Sequence, residues 1–237
     1  MVYRALIPNV FTVGNLFCGF AALSYIIGGK YVPAAWLIVL GAALDNMDGR
    51  IARFMGQDSR FGIEFDSLAD VCTFGVVPAV MIYHALLQSG WGLLVGTIFL
   101  LCGALRLARY NVLSHENAKS NLFLGLPIPA AAIALSQYIV YTERAWETEH
   151  AASLGTLFAL LLAFLMVSRI EYDPVPNFRS AALRDRLKVL YFLGSVGLVI
   201  YPGTSKELFF PIIAVYLFSG IYRWVNGMFS GEVTQHA

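Results

Sequence analysis

The chain's 237 residues are 58% hydrophobic and only 13% charged, with a mean hydropathy of +0.68. A soluble domain carries about 25% charged residues, so this composition excludes an ordinary soluble fold and predicts an all-α, polytopic membrane bundle. A net charge of +1 without a basic run gives no footprint for a nucleic-acid partner, and Cys18, Cys72 and Cys102, each inside an apolar segment, make neither a disulfide framework nor a metal-type spacing.

The first apolar run, Leu6 to Ile27, is long enough to cross a bilayer, and with no clear cleavage site it reads as a retained helix rather than a signal peptide. Pro8 suits a first helical turn. Asn9, Thr12 and Asn15 recur every third residue and therefore form a stripe on one face. Such a stripe suits hydrogen bonding to a nucleotide diphosphate, or equally the packing of helix on helix in a membrane.

The second run is apolar from Val32 to Leu44, where Asp45 interrupts it. Thirteen residues of helix advance about 20 Å, so Asp45 and Asp48 fall in the last third of the membrane. Gly49 and Ala52, on the same side, leave room for a bulky ligand. The polar stretch from Arg53 to Phe65 reads as a surface turn, with Asp58 and Glu64 as solvated loop charges. A third helix is expected to start near Asp66 and run to about Leu87, its acids at the N-terminus where the helix dipole favours them. His84, fourteen residues beyond Asp70, belongs to the opposite surface.

The fourth run, Trp91 to Leu105, leads into Arg106 and Arg109, which are three apart and share a face, and Asn111. Arginine recognises carboxylate and phosphate through paired hydrogen bonds, but also anchors helices among lipid headgroups. Pro127 and Pro129 put the start of a fifth helix near Pro129. A sixth run covers Ala151 to Val167, a polar stretch follows from Arg169 to Lys188, and Val189 to Tyr201 and Leu208 to Val225 complete eight spans in a single domain over residues 1–237. With the N-terminus inside, thirteen of the sixteen Lys and Arg fall on the inner side, and only Lys30, Arg144 and Lys206 fall outside. That bias predicts both termini, the acids and the Arg pair on the cytoplasmic side.

The densest chemistry lies between Asp45 and Asp70. It reads Asp45-x-x-Asp48-Gly49-x-x-Ala52-Arg53, eight residues, Gly62-x-x-x-Asp66-x-x-x-Asp70. The pairs are three and four apart, so each shares one helix face. Gathered carboxylates near a membrane are costly unless a cation compensates them, and an all-oxygen set suits Mg²⁺ or Mn²⁺, with Ca²⁺ behind them.

This spacing resembles the signature of the CDP-alcohol phosphatidyltransferases at every position. Pro8-Asn9-x-x-Thr12-x-x-Asn15, Arg106-Leu-Ala-Arg109-Tyr-Asn111 and Gly125-Leu-Pro127-x-Pro129 are further similar to its phosphatidylserine synthase branch. The resemblance implies an integral enzyme of the plasma (inner) membrane that takes CDP-diacylglycerol and L-serine to phosphatidylserine and CMP. By carry-over, Asp45, Asp48 and Asp66 hold one or two divalent ions with Asp70 close by, and Asp70 is the base. Gly49, Ala52, Arg53 and Gly62 frame the CDP moiety together with Asn9, Thr12 and Asn15. Arg106, Arg109 and Asn111 receive serine or phosphate, and a homodimer is expected. The residues themselves leave Asp66 and Asp70 undistinguished as base. They also leave open an inositol phosphate or glycerol phosphate acceptor, or a divalent-cation path.

Overall fold

The computed structural model describes residues 2–55, 60–116, 125–145, 148–168, 170, 210, 211 and 213–215. Among these all the regular structure is helical: α1 Val2–Ile27, α2 Tyr31–Met55, α3 Arg60–Asp70, a π-helical segment Val71–Val76, α4 Val77–Leu86, α5 Gly90–Glu116, α6 Ile128–Ala145 and α7 Thr148–Val167. The stretches 9–27, 61–86, 90–113 and 150–167 are each long and apolar enough to cross a membrane. The chain is a helical membrane protein. The last two expected spans lie outside the described residues, except for the short helical pieces at 210, 211 and 213–215.

Helix α1 shows how a membrane bundle inverts the soluble pattern. Val10, Val13, Phe17 and Phe20 are exposed along one face, whereas Thr12, Asn15, Cys18, Ala22 and Ile26 are buried along the other. Large apolar side chains meet lipid and small or polar ones meet protein, because lipid tails are as apolar as leucine and close packing must hold the helices together. Its main partner is α2.

The core lies where the π segment, α4, α5, α6 and α7 meet, around Phe74, Phe99, Met81, Leu135, Leu162 and Met166. From Ala131 to Val140 only Ile133 of α6 is partly accessible, so α6 is the central helix, ringed by its neighbours. Gly103 on α5 makes this closeness possible: a Cβ there would lie 2.6 Å from Ile128 Cδ1. On the far side of α6, Tyr138 packs against Phe158 and Phe210, with ring centroids 5.4 Å away in each case, and its hydroxyl donates to the Ala151 carbonyl at 2.9 Å.

Two expected boundaries move. Helix α1 begins at Val2, so Pro8 stands in its second turn rather than its first and removes one i→i−4 bond there. The expected surface turn from Arg53 to Phe65 is mostly helix: α2 continues to Met55 and α3 starts at Arg60, leaving Glu64 on a helix, exposed. No proline interrupts residues 60–70, and polarity alone does not break a helix. The start of α6 at Ile128 agrees with the proline reading. Gly125 precedes it at φ +82, a left-handed conformation that favours glycine.

Candidate active site

Asp45 and Asp48 sit on α2, one turn apart, and Asp66 and Asp70 sit on α3, one turn apart. The two helices bring the pairs together. One carboxylate oxygen each from Asp45, Asp48 and Asp66 lies within 4.8 Å of the others. Asp70 stands outside that trio, one turn past Asp66 on α3. Asp48 and Asp70 are buried, and Asp45 and Asp66 half-buried.

The helix dipole does not hold the second pair. With α3 starting at Arg60, Asp66 and Asp70 stand beyond the first turn, where the dipole's effect has fallen away. Side chains of α1 fill that role. Thr12 Oγ1 donates to Asp48 Oδ2 at 3.0 Å, and Asn15 Nδ2 donates to Asp70 Oδ1 at 3.1 Å. The Asn9–Thr12–Asn15 stripe therefore faces the acids. Asn9 is half-buried and Thr12 buried, and Asn15 is fully enclosed at 0% exposure, so its amide reaches a carboxylate and not the solvent.

The trio fits a hard divalent cation. All its donors are oxygens, and Asp66 Oδ1 is buried with no hydrogen-bond partner among the described residues. Two ligands of one Mg²⁺ stand at most ~4.2 Å apart and of one Ca²⁺ at most ~5.2 Å. The trio as it stands is within the span of one Ca²⁺, and its widest pair would close by about 0.6 Å or more around one Mg²⁺.

The remaining expected residues divide. Gly49, Ala52 and Arg53 belong to the same helix as Asp45 and Asp48, but their side chains are not among those described. Gly62 lies on α3, one turn before Asp66. Arg106 and Arg109 share α5 but differ in surroundings. Arg106 is buried, while Arg109 donates to the carbonyls of Val167 at 3.0 Å and Ser168 at 3.3 Å, at the end of α7. Asn111 Nδ2 donates to Ser67 Oγ at 2.9 Å and so ties α5 to α3 beside Asp66. His84 is at the other end of the bundle, its Nδ1 3.1 Å from the hydroxyl of Tyr31 at the start of α2.

Two residues of this site escape a sequence reading. Ser67 is an ordinary polar residue on a polar helix. Thr73 is fully buried in the π segment one turn past Asp70, and its Oγ1 donates to the Asn15 carbonyl at 3.1 Å. Its signal is faint, a lone hydroxyl in an apolar run just after the last aspartate.

Comparison with known proteins agrees with the site. Residues 5–176 match the CDP-alcohol phosphatidyltransferase family. A CDP-diacylglycerol–serine O-phosphatidyltransferase of Helicobacter pylori is 36% identical over 223 residues, 93% of this chain and 91% of that protein. The protein of the same name from Methanocaldococcus jannaschii is 34% identical over 191 residues, 81% of this chain and 84% of its own length. An archaetidylserine synthase of Methanothermobacter thermautotrophicus is 35% identical over 173 residues, 71% of this chain and 70% of that protein. With the signature intact, its two acid pairs converging and the family matched over most of the length, this chain belongs to the CDP-alcohol phosphatidyltransferases.

Proposed function

We propose that the protein transfers the phosphatidyl group of CDP-diacylglycerol to L-serine, releasing CMP and phosphatidylserine. The observation that carries this is the convergence of Asp45, Asp48 and Asp66 with Asp70 standing beside them, in a chain whose relatives are named for a serine acceptor. The archaetidylserine synthase points the same way: relatives named for different lipids share the serine product.

Phosphoryl-type transfer is mainly a matter of position and charge. Asp45, Asp48 and Asp66 would hold a divalent cation, Mg²⁺ or Mn²⁺ ahead of Ca²⁺, and that ion would supply charge neutralisation for the diphosphate and the departing CMP. Asp70 takes the proton of the serine hydroxyl. The serine oxygen forms its bond to the phosphorus that bears diacylglycerol, and the bond from that phosphorus to the bridging oxygen breaks. The electron pair leaves with CMP. Asp70 suits the base because it lies next to the trio without being one of its three oxygens, a difference that spacing alone does not reveal. Gly49, Ala52, Arg53 and Gly62 border the CDP moiety. Arg106 is the candidate for the serine carboxylate. Arg109 is engaged with α7, which favours a supporting part for it.

The same reading places eight spans in the inner membrane, both termini and the acids on the cytoplasmic side, and two copies in a homodimer. The test follows CMP release from CDP-diacylglycerol by the purified protein in detergent with Mg²⁺ or Mn²⁺. Serine-dependent release, lost on chelation and in Asp70→Asn, is expected. Release with inositol phosphate or glycerol phosphate but not serine would move the protein to a sister branch.

A further inference from the structure

We propose that Asn15 is a positioning residue for Asp70, and that Thr73 locks it in place from the π segment. This rests on the reading of Asp70 as the base. Asn15 is held at both ends: its side-chain amide donates to Asp70 Oδ1 at 3.1 Å, and its backbone carbonyl accepts from Thr73 Oγ1 at 3.1 Å. Asp70 and Thr73 are three residues apart, so α1 is gripped twice by one turn of the opposing helix. Both Asn15 and Thr73 are 0% exposed, so their donors are spent on protein groups and not on solvent.

The surrounding residues are shaped for this contact. A Cβ at Gly19 would lie 2.5 Å from Thr73 Oγ1, and one at Gly41 would lie 3.0 Å from Asn15 Oδ1 and 3.1 Å from Thr73 Cγ2. Glycines on α1 and α2 thus vacate the volume in which Asn15 and Thr73 meet. The segment they meet in, Val71–Val76, is π-helical and follows Asp70 directly. Such wide turns are rare and occur often at functional sites. A carboxylate held at one oxygen by a buried amide has a fixed plane, and a proton acceptor needs that orientation toward the attacking hydroxyl. Outer-shell hydrogen bonds of this kind typically carry ~10–100-fold in activity.

The test compares Asn15→Leu, Asn15→Ala, Thr73→Val and Thr73→Ser. Expected for both Asn15 variants is a fall in kcat of about 10–100-fold, with KM for CDP-diacylglycerol and serine and the Mn²⁺ affinity by electron paramagnetic resonance staying near wild type. Thr73→Val should lower kcat in the same way, and Thr73→Ser, which keeps the hydroxyl, should restore it. A loss of Mn²⁺ affinity with kcat intact, or a Thr73→Ser as impaired as Thr73→Val, would overturn the proposal. Should the Asn15 variants fail to fold, the Thr73 pair decides alone.

A melting-temperature cycle of Asn15→Ala with Asp70→Ala reads the contact without any turnover. Coupled residues give non-additive shifts, so Asn15→Ala should lower the melting temperature less in the Asp70→Ala background. Additive shifts would refute the contact. Absence of CMP release by the wild type with every acceptor would instead refute the catalytic reading, and a non-additive cycle would leave the Asn15–Asp70 bond standing.

Discussion

Thr12 and Asn15 differ in what they support, although one stripe on α1 carries both. Thr12 touches Asp48, one of the three residues whose oxygens converge, while Asn15 touches Asp70, which stands apart. Removing the Thr12 hydroxyl takes one donor from a buried carboxylate of the trio, so the effect belongs on metal binding. Thr12→Val keeps the volume and is expected to raise the Mn²⁺ or Mg²⁺ concentration for half-maximal activity by about 10–100-fold, with most of the rate recovered at saturating metal. A titration of CMP release against Mn²⁺ measures it. A fall in kcat that excess metal does not recover would show that Thr12 acts on the reaction and not on the ion. The stripe itself is visible in the sequence because threefold spacing is a local property of a helix. Its targets are not, because Asp48 and Asp70 lie 36 and 55 residues away and only the packing of α1 brings them near.

Helix ends behave differently from helix faces. The end of α7 is fastened from two directions: Arg109 donates to the carbonyls of Val167 and Ser168, and Gly125 N and Leu126 N donate to Ile170 O at 2.9 Å and Leu165 O at 3.0 Å. The last carbonyls of a helix have no partners within it, and a guanidinium meets both their hydrogen-bonding need and the negative end of the dipole. Hydrogen bonds to a charged group contribute about 1.5–3 kcal/mol, and solvent at this partly exposed position puts Arg109 at the low end. Arg109→Ala should therefore lower the melting temperature in detergent by a few degrees while the serine KM of the folded protein moves less than in Arg106→Ala. Equal rises in serine KM for both variants would return Arg109 to the acceptor site. The sequence shows two arginines on one face and nothing of this division, since the partners of Arg109 arrive 58 residues later. The start of α3 is hidden for another reason. Between Arg53 and Phe65 the polarity suggests a turn, yet residues 60–65 are helical, and only packing distinguishes a polar helix from a loop. The acids are immune to this ambiguity because spacings of three and four fix a shared face wherever the helix begins.

At the scale of the molecule the bundle has two chemically different ends. One holds Asp45, Asp48, Asp66 and Asp70. The other holds Tyr31 and His84, whose hydrogen bond joins the start of α2 to the last turns of α4. Fourteen residues separate Tyr31 from Asp45, about 21 Å along a helix, so these ends stand on opposite sides of most of the hydrocarbon layer. Lys30, just before α2, and Ser89, just before α5, mark the Tyr31 end, and the exposed Phe61 at the start of α3 marks the acidic end. The excess of Lys and Arg on the acidic side is the ground for proposing that this side faces the cytoplasm. In a background with Cys18, Cys72 and Cys102 replaced, Lys30→Cys and Ser89→Cys should react with a membrane-impermeant maleimide on intact cells. Phe61→Cys should react only after the membrane is opened. The reverse pattern would turn the carboxylates outward and leave their geometry unchanged. A water-soluble acceptor and a CDP-linked lipid would then have to meet outside the cell, where the cytoplasmic reaction proposed for this site cannot run.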